Sequence, residues 1–178
     1  DAAWNALLAD LTALAQHPAV QGDILSLPSA IFDNWDAHPC SIDAANALTA
    51  QIRSILTPMI GGADYVVLVG DDGVVPFRRV PDETTFSNER DYAFDAYLRP
   101  GSPLFASVVL GYNLTDDYYV DAAPTAWQGR ELYVPDIPIA RLVETPDEIR
   151  AAAQAFVSSN GVLNPASGFV SGYDFFTD

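Results

Sequence analysis

His38, Pro39 and Cys40, with Asp36 close by, form the one stretch where a thiol, an imidazole and a carboxylate stand together in the chain. A thiol becomes a nucleophile when a base within hydrogen-bond reach can take its proton. Such pairs normally converge from separate elements of a fold, and the proline between these two limits how their side chains turn toward each other. The stretch therefore reads as a loop with a partly buried thiol, not as a catalytic dyad or metal site. His17 precedes Pro18 at the end of an expected helix, where a cation suits the helix dipole and the role is structural.

The acids offer a second kind of chemistry. Asp71 and Asp72 follow an apolar run, and Asp116, Asp117 and Asp121 cluster around Tyr118 and Tyr119. A hard cation such as calcium gathers about 6–8 oxygens, and the D-x-D-x-D-G spacing of a local calcium loop does not occur here. The five acids read first as hydrogen-bonded turns that pin loops, with calcium as the alternative ligand and no other cofactor expected. Arg141, at the end of an expected strand, is placed to pair with Asp116 or Asp117. Asp174 and Asp178 read as exposed acids near the C-terminus, and Asn113-Leu114-Thr115 matches a glycosylation pattern too common by chance to carry weight.

Composition narrows the classes of function. With 49% apolar and 18% charged residues over 178 positions, the chain has the means to bury a core and is not a disordered segment. Its formal charge of −16, from 24 acids against 8 arginines and no lysine, repels phosphate backbones and anionic headgroups, so nucleic acid is not an expected partner. A lone cysteine excludes an internal disulfide. No apolar run approaches the roughly 20 residues that span a bilayer, so membrane insertion is not expected either. The start at Asp1, with neither an initiator Met nor a basic leader, reads as a cleaved or excised chain.

The elements that must position these residues follow from periodicity. Trp4, Leu7, Leu8, Leu11, Leu14 and Ala15 recur at helical spacing before Pro18. Asp23 to Leu27 is a short alternating run that predicts a strand. Asp43 is placed to cap a second helix carrying Leu48, Ile52, Ile55 and Leu56, ended by Thr57-Pro58. Tyr65 to Val69 is continuously apolar and predicts a central strand covered on both faces. Ser87-Asn88-Glu89 and Ser102-Pro103 each predict a short helix start. Ile137 to Leu142 predicts a strand with Pro138 near its beginning. Thr145-Pro146-Asp147-Glu148 has the pattern of a capping box, before a helix that Asn160-Gly161 stops. Gly168 to Tyr173 predicts one further strand. This alternation predicts an α/β fold with a mostly parallel sheet flanked by helices.

Three segments together resemble the gingipain family of cysteine peptidases, whose fold is caspase-like. They are YVVLVGDDGVVPFRRVPDET (65–84), LTDDYYVD (114–121) and PDIPIARLVETPDEIRAAAQAF (135–156). The first is similar to the family's strand, Gly-Asp and Val-Pro-Phe turn. The second resembles its acidic-aromatic segment, and the third its Asp-Ile-x-Ile-x-Arg strand, cap and helix. The resemblance implies that residues 1–178 are a single α/β subdomain from the N-terminal part of a larger, exported peptidase domain, cut before the strands that bear the catalytic residues. In the family the reactive histidine and cysteine follow later strands, and neither motif occurs here, so no catalytic residue can be placed on this chain. The partners this implies are the remainder of the parent domain and its peptide or protein substrate.

Two other readings use the same residues. One is a non-catalytic protein-interaction module of the same fold. The other is a nucleotide-binding domain using the loop after Val69, but that loop is Gly-Asp-Asp-Gly, with acids where a phosphate needs bare amides or a lysine.

Overall fold

The structure, a computed structural model, describes residues 2–94, 97–162 and Ser167. The strand expected at Gly168 to Tyr173, and both Asp174 and Asp178, lie outside the described residues. In chain order the elements are α1 (Ala2–Ala15), α2 (Asp33–Ala37), α3 (Ile42–Ile60), β1 (Val66–Val69), β2 (Arg78–Pro81), α4 (Pro103–Val109), β3 (Tyr112–Thr115), β4 (Thr125–Trp127), β5 (Arg130–Leu132), β6 (Ile139–Leu142) and α5 (Pro146–Ser158). Short 3-10 turns add Ser29–Ile31, Glu89–Tyr92 and Asp117–Tyr119. The chain is α/β and divides into two compact units, one made of Asp1–Leu25 with Thr145–Asp178, the other of Ser26–Glu144.

In the first unit α1 packs against α5. Leu7 is buried from α1, and Ile149 and Ala153 from α5, while Trp4, in the first turn of α1, stays exposed. The capping box forms as its sequence predicts: the Glu148 carboxylate accepts from the Thr145 amide at 3.0 Å, and Thr145 Oγ1 accepts from the Glu148 amide. At the other end of α5, Asn160 and Gly161 take positive φ of 53° and 72°, and the Gly161 amide closes the helix onto the Phe156 carbonyl. Arg150 Nε donates to Asp10 at 2.8 Å, and Gln154 donates to the same carboxylate. His17 is buried edge-on against Phe156; its Nδ1 accepts from the Ala19 amide and its Nε2 donates to Asn160. Its role is structural, through these two hydrogen bonds and the ring contact.

The second unit is built around α3. Ser41, not Asp43, caps this helix through the Ala44 amide, leaving Asp43 in the first turn where its charge suits the dipole. Pro58 does not end it either; the helix runs on to Ile60, since a proline in the last turn removes one hydrogen bond at a point already fraying. Ala44, Ala45, Leu48 and Ile52 meet Trp35 of α2, Leu68 of β1, Val75, Tyr119 and Val120 in one apolar cluster, with Val66 and Ile139 packed against it.

Among the described residues the strands form three two-stranded sheets. Only β1 and β6 are parallel, in register from Val66 with Ile139 to Val69 with Leu142. The continuous apolar run of β1 is covered on one face, whereas Val67 is 44% exposed on the other. β2 pairs antiparallel with β3, and β4 with β5 through Gln128 and Gly129, both at positive φ. No strand forms over Asp23 to Leu27: Gly22 is tied back to the Ala15 carbonyl, no ladder partner lies beside the run among the described residues, and the boundary between the units falls within it. No described helix is long and apolar enough to cross a membrane.

Candidate functional site

The segments 65–84, 114–121 and 135–156 meet at one side chain. Arg141 leaves β6 beside Leu68 of β1, its register partner, and its guanidinium spans the carboxyl ends of both strands. Nε and Nη2 donate to the two oxygens of Asp116 at 2.9 and 2.5 Å, a bidentate pair. Nη1 donates to the carbonyls of Gly70 at 2.9 Å and Val75 at 2.6 Å. The same guanidinium lies over the Phe77 ring, 4.1 Å from its centroid. Gly70 is required here: its φ is +127°, and a Cβ would come within 2.8 Å of Val74. The acid that Arg141 takes is thus Asp116, and Asp117 opens the 3-10 turn that follows.

A second buried pair lies across the same loop. Arg79 and Asp72 are 2.6 Å apart, with only 1% and 9% of their side chains exposed. The remaining donors of Arg79 reach Ser107 Oγ at 3.0 Å and the Phe77 carbonyl, and the other Asp72 oxygen accepts from the Phe77 amide. Every charge-bearing group of the pair is therefore occupied, which a buried ion pair needs in order to offset its desolvation. Asn46 of α3 clamps β2 by accepting from the Arg79 amide at 2.9 Å and donating to its carbonyl at 3.1 Å. Tyr119 is wholly buried, donates its hydroxyl to the Pro76 carbonyl, and has its phenol pushed well above the usual tyrosine range by that burial.

Asp121 and Asp71 are equally engaged with protein donors. Asp121 accepts from the Ala123 and Val134 amides at 2.8 Å each, while its carbonyl receives Arg53. Asp71 caps the turn at the Gly73 amide, 2.9 Å away. Asp71, Asp72, Asp116 and Asp121 are divided among separate anchor points, and no group of three or more His, Cys, Asp or Glu side chains stands together as a metal site among the described residues. His38 Nδ1 lies 3.2 Å from the Asn34 carbonyl, while Cys40 donates its thiol to the Gly101 carbonyl at 3.6 Å, so the two face different partners. Cys40 is exposed rather than partly buried.

Sequence reasoning passed over a groove in this unit. It has a volume of about 330 Å³ and lies where the N-terminal turn of α3, strands β2 and β3, and β5 come together. Arg78 and Arg130 line it with Tyr112, Tyr133, Asp43 and Glu131. Arg78 lies over the Tyr118 ring at 4.4 Å and donates to the Asn46 carbonyl, and Arg130 donates to the Pro81 carbonyl at 2.8 Å. The signal was present in the sequence: Arg78-Arg79 is the only arginine doublet, and strand alternation sends one into the core and the other to the opposite face.

No family model, curated protein or solved structure matches the chain.

Proposed function

We propose that this chain is the N-terminal, non-catalytic portion of a gingipain-type cysteine peptidase domain with a caspase-like fold. In this reading it contributes part of the parallel sheet and one wall of the substrate cleft. Later strands of the parent supply the cysteine whose thiolate attacks a peptide carbonyl, the histidine that handles protons, and the amides that hold the oxyanion. Its partners are the remainder of that domain and the peptide or protein substrate.

The observation that supports this reading is the convergence on Arg141. The resemblance rests on segments far apart in sequence, and Arg141 of the last is bonded to Asp116 of the second and to Gly70 and Val75 of the first. The motif residues thus share a physical task, which is to hold the loop after β1 against the end of β6. In open α/β sheets that carboxyl edge is where ligand clefts form.

Sequencing the parent gene beyond the codon for Asp178 tests the proposal. A His-Gly pair after the next strand and an Ala-Cys pair after the following one are expected. Absence of both would remove the peptidase and leave a protein-interaction module of the same fold.

A further inference from the structure

We propose that Asn160-Gly161, where α5 ends, is a deamidation site that the fold holds shut, and that ammonia is lost there when this corner of the first unit opens. The pair is the only Asn-Gly in the chain. In an unrestrained chain the main-chain nitrogen after an asparagine can attack the side-chain amide carbon, and glycine, lacking a Cβ, hinders that approach least. Asn164 precedes Pro165, whose nitrogen carries no hydrogen and cannot close the same ring.

In the folded chain both reacting groups are tied. The Gly161 amide donates to the Phe156 carbonyl at 2.9 Å, and the Asn160 and Val162 amides beside it donate to the Val157 carbonyl at 3.2 Å and the Ser159 carbonyl at 3.1 Å. The Asn160 carboxamide oxygen lies 3.1 Å from Nε2 of His17, whose other ring nitrogen accepts from the Ala19 amide and whose ring stands edge-on to Phe156. Phe156 also closes over Gly161, where a Cβ would come within 3.1 Å of its ring. Asn160 itself is exposed, so water and base reach it, and conformation rather than burial restrains the reaction. Once the corner opens, the Gly161 nitrogen gives its proton to solvent base and bonds to Cγ of Asn160. The Cγ–Nδ2 bond breaks, and that nitrogen leaves as ammonia with a proton from solvent. Water then opens the cyclic imide, leaving aspartate or isoaspartate. Isoaspartate adds a methylene to the main chain, so the Gly161 amide no longer meets the Phe156 carbonyl in the same register and the helix loses its closure.

Incubating the chain at mildly alkaline pH, folded and in urea, tests this. Trypsin then releases Ala151–Asp178, the peptide after the last arginine, and fragment mass spectra locate the mass gain of deamidation within it. Conversion of Asn160 is expected to be at least about tenfold slower in the folded chain than in urea, because only the opened fraction reacts. Phe156→Leu, which removes the ring packed on His17 and Gly161, is expected to raise the folded rate several-fold and to leave the rate in urea unchanged. Equal rates in the folded and unfolded chain would overturn the proposal, as would a folded rate indifferent to Phe156→Leu or a mass gain confined to other residues of the peptide.

Discussion

Arg141 and Asp116 face each other across 25 positions of sequence as a bidentate pair, and the arginine side chain is only 6% exposed. Because the same side chain also serves the Gly70 and Val75 carbonyls, its loss would leave an unpaired carboxylate and two unserved carbonyls. The β1–β6 pair and the loop after β1 depend on it together.

Arg141→Ala is therefore expected to destabilise the Ser26–Glu144 unit by about 3–5 kcal/mol, the usual cost of leaving one partner of a buried pair behind. Urea unfolding of the variant checks this. An unchanged midpoint would show that the pair is incidental to the fold.

Arg79 and Asp72 give a complementary test, since both are buried and every polar group has a partner. Asp72→Ala alone should cost about 3–5 kcal/mol, while Asp72→Ala combined with Arg79→Met should recover a substantial part, because no bare charge then remains inside. Equal losses in the single and double variants would place the stability in packing instead.

The helices with strong local punctuation were legible in the sequence. Thr145 to Glu148 specifies its own cap, and Ser102-Pro103 does the same for α4, because both signals are satisfied within one turn. The pairing of Arg141 with an acid of the 114–121 segment was also legible, from a lone arginine at a strand end and acids in a motif. The antiparallel pairs were not. β2 and β3 are short polar runs whose identity as strands rests on each other and on the Asn46 clamp, which is a tertiary fact. The β4–β5 hairpin had a sequence signal in Gln128-Gly129, but its strands are too short and exposed to show alternation. The Arg78–Arg130 groove joins residues from distant segments, and the Arg78-Arg79 doublet is its one local trace in the sequence.

Acid should loosen the α1–α5 pairing. Hydrogen bonds from Arg150 and then Gln154 hold Asp10 below its ordinary 3.8, and those from the Thr145 hydroxyl and amide hold Glu148 below 4.5. Both folded-state values are depressed, so the stability they supply is full above 3.8 and 4.5 and is lost as pH falls through the lower folded values. Urea midpoints followed from neutral pH into this range should decline, and Asp10→Asn should flatten the decline. A variant with the parent's slope would remove Asp10 from the account.

The reactive pair of the proposed peptidase is placed outside this chain, and turnover of peptides by the purified Asp1–Asp178 polypeptide tests that most directly. A quenched fluorescent peptide library should give no hydrolysis above buffer, and alkylation of Cys40, exposed and with its thiol on the Gly101 carbonyl, should leave the unfolding midpoint unchanged. Turnover by the polypeptide that disappears in Cys40→Ala would contradict the account.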